Sequence, residues 1–190
     1  MPIPIVSFYS DVDGSDYYSR CGRRLVAQCE SLGVEHHVVE RRYGGDWIAN
    51  VKAKPTFLRE MFDTLGTPFL WVDVDCDVLQ YPTAAEALSG DWACVQNPGR
   101  LFVCDCVHYV GHSERTRTFL DTWIATCAAP GTAGSHSGFC RILPAAVDDG
   151  LRLEYLPQSY VHGPTIRIGL ADTPSKLDYL AEMTCRSSVT

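Results

Sequence analysis

Apolar positions along this chain alternate between a period of two and a period near 3.6, and each switch predicts an element. Ile3 to Tyr9 is a short β-rich run that predicts a first strand. Ser10 to Ser15 is polar and contains good helix-capping residues. Tyr18, Cys21, Leu25, Cys29 and Leu32 then recur on one helical face, which Gly33 closes as a C-cap. Val34 to Glu40 predicts a second strand. Pro55 suits the first turn of a helix whose stripe is Phe57, Leu58, Met61, Phe62 and Leu65, and Gly66 ends it. Phe69 to Val72 predicts a third strand.

Downstream, Pro82 to Leu88 reads as a short helix, and Trp92 to Gln96 and Leu101 to Tyr109 as strands. Ser113 caps a helix with the stripe Phe119, Leu120, Trp123, Ile124 and Cys127. Ala128 to Gly138, rich in Gly, Ala and Ser, predicts a mobile connection. Gly138 to Val147 predicts a helix interrupted at Pro144, Leu151 to Leu156 a last strand, and the tail is loop-rich. Alternating β and α elements predict an α/β fold, a mostly parallel central sheet with helices on both faces. No repeat, low-complexity tract or linker divides it, so residues 1–190 are expected to form one domain.

The third strand ends abruptly in Asp73, Asp75 and Asp77, at alternate positions. Ligands of open α/β sheets bind beyond the carboxyl ends of strands, so these acids are expected at a mouth rather than in a core. Carboxylate oxygens are hard ligands for Mg²⁺ or Mn²⁺, which commonly bind through one or two carboxylates plus substrate phosphates. Three crowded carboxylates also repel one another unless a cation is near. The competing reading is a solvated acidic turn.

Charge and cysteine content refine this picture. The net charge of −7 gives no general warrant for nucleic-acid binding, yet eight of the 16 basic residues fall between Arg20 and Arg59. That local basic face suits a phosphate-bearing ligand, or is a set of solvated helix faces. No apolar stretch approaches the roughly 18 residues a membrane span needs, and the N-terminus has no secretion-signal pattern, so cytoplasmic residence is expected. The nine cysteines are accordingly expected to be small buried hydrophobes rather than a disulfide framework. Strand alternation would place Cys104, Cys106 and His108 on one face, as part of a zinc site or as a core-facing strand.

The chain resembles the nucleotide-diphospho-sugar transferases, glycosyltransferases of the GT-A fold, which is Rossmann-like. The resemblance runs from Ser7-Phe8-Tyr9 through Trp47-Ile-Ala-Asn50 and Lys54-Pro55 to Leu70-Trp-Val-Asp73-Val-Asp75, with a looser part from Asp91 to Tyr160. It implies a nucleotide-sugar and metal half (1–95) and an acceptor half (96–190). It also implies Asp75 as the main ligand of Mn²⁺ or Mg²⁺, with Asp73 on ribose or metal and Asp77 of second rank. Ser7 and Tyr9 would lie near the nucleotide base; Trp47, Asn50 and Lys54 would approach the diphosphate, with Lys54 as a point charge. Where these transferases often carry an acidic or amide pair, this chain has Ser135-His136-Ser137, making His136 a candidate general base, with Asp105 as an alternative catalytic carboxylate. A metal-binding histidine near the C-terminus is replaced by Arg167, leaving His162 as the nearest imidazole, and Lys176 as a further contact to the diphosphate.

The expected function is metal-dependent transfer of a hexose or related sugar from a nucleotide-diphosphate sugar, UDP-type favoured, to an acceptor hydroxyl. The acceptor could be a glycan, a metabolite, a protein or, as a minority reading, a hydroxymethylated base of viral DNA, which would need a basic track. The alternatives are a non-catalytic nucleotide-sugar-binding protein and a Mg²⁺-dependent nucleotidyltransferase. The latter would want a basic loop after the first strand, and Ser10 to Gly14 has no basic residue.

Overall fold

The computed structural model describes residues 2–11, 16–42, 47–96 and 103–168, the side chain of Trp47 excepted. A six-stranded, mostly parallel sheet forms its centre, in the order β2-β1-β3-β6-β5-β7. The strands are β1 (Ile5–Tyr9), β2 (His36–Glu40), β3 (Phe69–Val72), β5 (Trp92–Gln96), β6 (Val103–Val110) and β7 (Leu153–Tyr155). Only β6 runs against its neighbours in that sheet. β4 (Asp77–Val78) and β8 (Ile166–Arg167) form a separate antiparallel ribbon.

Strand alternation sorts the core into two layers. Ile5, Leu70 and Val72 face α1 (Tyr17–Leu32), where Cys21, Leu25 and Cys29 are buried. Val6, Phe69 and Trp71 face the opposite layer, built on α3 (Lys54–Leu65), α4 (Glu114–Ala128) and α5 (Ser135–Asp148). Helices α2 (Trp47–Lys52) and α6 (Ser159–His162) are short. Both αL C-caps stand where expected, Gly33 at φ 66° and Gly66 at φ 63°. Ser113 caps α4, its Oγ accepting from the Thr116 amide at 3.1 Å.

Three expectations are corrected. The stretch read as mobile is mostly helix and packed turn, because α4 runs to Ala128 and α5 already begins at Ser135. Its small residues serve close packing: a Cβ on Gly138 would sit 3.0 Å from Cys127 Sγ, and the Trp123 indole donates to the Ser135 carbonyl at 2.9 Å. Pro144 lies inside α5 without ending it. Finally, Cys104, Cys106 and His108 do not share a face. Between the pairings Cys94–His108 and Gln96–Val103, β5 has one residue and β6 has four, a bulge that shifts the alternation. Cys104, Cys106 and Val107 consequently all pack towards the α1 layer, whereas His108 sits among the aromatic rings of the other. Among the described residues no group of three His, Cys, Asp or Glu side chains is arranged to hold a metal ion. The eight described cysteines are free, six of them buried, and Cys185 lies outside the description.

Candidate active site

A cavity of about 700 Å³ opens at the carboxyl ends of β1 and β3, the position expected of an α/β ligand site. Each wall comes from a different element: Phe8, Tyr9 and Ser10 from the end of β1, Tyr18 from α1, and Asn50, Val51 and Lys54 from α2 and α3. Asp73, Val74 and Asp75 follow β3, residues 103–106 belong to β6, and residues 133–137 lead into α5. His162 and Ile168 close the far side.

Tyr9, Asn50, Lys54, Asp73, Asp75, Asp105, His136 and His162, all named from sequence, therefore line one space. Two others do not. Ser7 is fully buried within β1, and Asp77 is drawn away on β4. The Asp77 carboxylate accepts from Arg24 Nε at 2.9 Å, Gln28 Nε2 at 3.0 Å and Arg167 Nη2 at 2.9 Å. Burial opposes ionisation of Asp77, but these bonds outweigh it and hold the carboxyl below its ordinary range. Arg24 also donates from Nη2 to the Asp75 carbonyl at 3.1 Å, so Asp77 and Arg24 brace the acidic turn from outside. The Trp47 side chain and Lys176 lie outside the described residues.

Lys54 holds the charged wall together. Its ammonium donates to Asp73 Oδ1 at 2.9 Å, Asp105 Oδ2 at 2.9 Å and the Asp105 carbonyl at 2.8 Å, matching its three N–H bonds. Burial alone would favour neutral lysine, but the Asp105 and Asp73 carboxylates hold its pKa above the ordinary value. The Trp71 indole also donates to Asp73 Oδ1, at 2.9 Å, so both contacts fall on one oxygen of that carboxylate. Asp105 accepts from Ser135 Oγ at 3.1 Å and pairs with His108 Nε2 at 2.9 Å.

The two carboxylates respond in opposite directions. Burial raises both, but the Lys54 charge and the His108 hydrogen bond hold Asp105 well below its usual range. In Asp73 burial, with the charges of Asp75 and Asp105, outweighs the pull of Lys54, and the pKa is raised. Asp73 and Asp105 thus share one ammonium, and Asp75 adds like charge beside Asp73.

His136 lies in the first turn of α5, its Nε2 donating to the Val103 carbonyl at 3.1 Å. The Tyr9 ring lies over Gly22, where a Cβ would meet Tyr9 Cδ1 at 2.7 Å. Sequence reading named His108 only beside Cys104 and Cys106, and Ser135 only beside His136; it missed that both bond Asp105, a pairing that for His108 depends on the bulge in β6. Of the eight basic residues between Arg20 and Arg59, Lys54 alone lines the cavity. Arg20, Arg24, Arg41, Arg42 and Arg117 are paired with carboxylates.

Fold and cavity together define an α/β protein with an acidic site at the strand ends, and fold comparison places that architecture among the glycosyltransferases. One similar structure is a glycosyltransferase involved in glycosylation of the major capsid of PBCV-1, at TM-score 0.66 and 13% identity, covering 96% of this chain and 100% of the other. The apo glycosyltransferase GlyE of Streptococcus pneumoniae TIGR4 matches at TM-score 0.63 and 10% identity, with 90% of this chain aligned to 55% of its own. The bifunctional glycosyltransferase WbbM matches at 0.53 and 8%, covering 83% of this chain and 39% of that one. Sequence comparison adds nothing: no protein-family model and no curated protein matches. At these identities the likeness shows the fold, and the chain has the glycosyltransferase fold.

Proposed function

We propose that this protein transfers a sugar from a nucleoside-diphosphate donor, of UDP type, to an acceptor hydroxyl, with Mn²⁺ or Mg²⁺ held by Asp73 and Asp75. The observation that carries the reading is the grouping of Asp73, Asp75 and Asp105 with Lys54 on the lining of one cavity, the Lys54 ammonium bonding Asp73 and Asp105 at 2.9 Å each. Among the described residues no group of three such side chains is arranged to hold a metal, so Asp73 and Asp75 would hold an ion completed by water and diphosphate oxygens. His162 also lines the cavity but forms no such group with them. When bound, the cation would supply positive charge to offset the negative charge growing on the departing diphosphate.

The remaining roles belong to the chain itself. Tyr9 and Tyr18 offer aromatic faces to a nucleotide base at the end of β1. Asn50 lies beside Lys54, which keeps Asp73 turned to the cavity. The acceptor oxygen attacks the anomeric carbon, the bond to the diphosphate oxygen breaks with its electron pair, and the acceptor proton passes to His136, which lines the cavity. Asp105 is a poor base because Lys54 and His108 stabilise its anion, so its place is electrostatic.

The test is a mass-spectrometric screen of purified protein against nucleotide sugars with Mn²⁺, scoring donor hydrolysis and acceptor products. Turnover lost in EDTA and restored by Mn²⁺ supports the proposal. Full turnover in excess chelator overturns the metal assignment, and nucleotide binding with no turnover of any donor identifies a non-catalytic binding protein.

A further inference from the structure

We propose that His108, which is fully buried and does not line the cavity, is the positioning residue for the charged wall in front of it. Its imidazole sits in an aromatic box, with ring centroids of Phe139 at 4.9 Å, Trp92 at 5.3 Å and Trp123 at 6.0 Å. Phenylalanine would fill such a box without burying two polar nitrogens, so packing alone does not account for an imidazole there. Both nitrogens are in use. Trp92 Nε1 donates to His108 Nδ1 at 3.2 Å, and an indole N–H only donates. Nδ1 must therefore carry the lone pair, and the proton of the neutral ring sits on Nε2, where it donates to Asp105 Oδ1 at 2.9 Å.

The consequence runs outward. With Oδ1 of Asp105 engaged from the core side, Oδ2 receives both Lys54 and Ser135. Lys54 then spans from Asp105 to Asp73 Oδ1. An unbroken series of hydrogen bonds thus joins the Trp92 indole, deep in the core, to the first acid of the cavity. The bulge in β6 makes it possible, since a regular strand would send residues 105 and 108 to opposite faces. The role rests on the proposed assignment of Asp73 as a cation ligand.

The test compares His108→Phe, which keeps the aromatic packing and removes both bonds, with His108→Gln, which restores an N–H towards Asp105. In wild-type protein, ¹⁵N NMR should show the Nε2–H tautomer of His108 with a slowly exchanging ring proton. Calorimetry with Mn²⁺ and UDP should show His108→Phe about tenfold weaker, in the range typical of lost outer-shell partners, and His108→Gln close to wild type. Uridine, lacking phosphate, should bind all three alike. An Nδ1–H tautomer in the wild type, or wild-type Mn²⁺ affinity in His108→Phe, overturns the positioning role. Absence of Mn²⁺ binding by the wild type instead overturns the metal assignment on which it rests. Should His108→Phe fail to fold, Trp92→Phe removes the donor to Nδ1 while keeping a smaller aromatic ring in the box, and should give mixed tautomers with weakened Mn²⁺ binding; a single unchanged tautomer with full affinity overturns the proposal.

Discussion

Asp73 and Asp91 are two aspartates of the same sheet in low-exposure surroundings, and their environments drive them in opposite directions. Asp91, fully buried just before β5, lies at the end of the sheet away from the cavity. Its Oδ2 accepts from the Arg152 amide at 2.9 Å and Nε at 3.3 Å, and its Oδ1 from Nη2 at 3.1 Å. Burial pushes its pKa up, but the Arg152 bonds outweigh that and leave it below the ordinary value. The neighbouring backbone is equally tight, since a Cβ on Gly111 would lie 2.4 Å from the Gly90 carbonyl oxygen. Asp73 shares one ammonium with Asp105, has Asp75 as a like-charged neighbour, and its pKa rises. A carboxylate with its own guanidinium is a finished structural joint. One that shares its ammonium with a second acid has its charge less fully offset.

The largest expected effect comes from exchanging function against structure. Asp75→Asn should lower kcat more than about a hundredfold with little change in melting temperature, as expected when charge at the reacting diphosphate is lost. Asp91→Asn should do the reverse, lowering the melting temperature and leaving kcat near wild type. Thermal melts and donor-turnover assays on both variants check this, and parallel losses in both would erase the distinction.

Next comes Lys54. Lys54→Ala leaves Asp73 and Asp105 buried without their shared cation, at a cost of about 3 kcal/mol or more. Denaturant titration should show that loss before any ligand is added. A loss confined to diphosphate binding would instead make Lys54 mainly a substrate contact.

A third prediction separates the aspartates by sign. Asp91, Asp77 and Asp105 have depressed pKa values, so their stabilisation is present above about pH 4 and is lost as pH falls through their folded values. Asp73 has a raised pKa, so its contribution declines as pH rises from the ordinary carboxylate range through that raised value. At neutral pH, Asp73→Asn should therefore melt at or above the wild-type temperature while losing Mn²⁺ affinity. A lower melting temperature would place Asp73 in the same class as Asp91.

The smallest effect concerns the aromatic wall. Gly22→Ala puts a methyl group against the Tyr9 ring and should weaken UDP binding a few-fold by calorimetry, with little change in Mn²⁺ binding. Unchanged UDP affinity would show that the ring shifts without cost or does not meet the base.

Local signals were enough for much of this molecule. The helical stripes, both glycine caps and the strand ending at Asp73 were legible because each depends on neighbours within a turn or a pleat. Long-range partners were not. Asp77 looked like a third ligand until Arg24 and Arg167, remote in sequence, took its oxygens. Lys54 looked like a cation facing a substrate, and its pairing with Asp105 rests on sheet register. Gly and Ser near residue 134 suggested mobility because composition cannot distinguish a loose loop from a close helix contact. The bond between His108 and Asp105 went unnoticed because the two should, by simple alternation, have been on opposite faces.

The bulge in β6 gives that strand two reading frames. Up to Cys106, odd-numbered positions serve the charged wall; from Val107 onward, even-numbered positions belong to the same layer. Spacing is therefore as much a part of this site as residue identity. Straightening the strand at this bulge without changing its length would keep every named side chain and yet send the carboxylate and its imidazole to opposite faces. Comparison of this chain with others of its fold must align the frame before it aligns the letters.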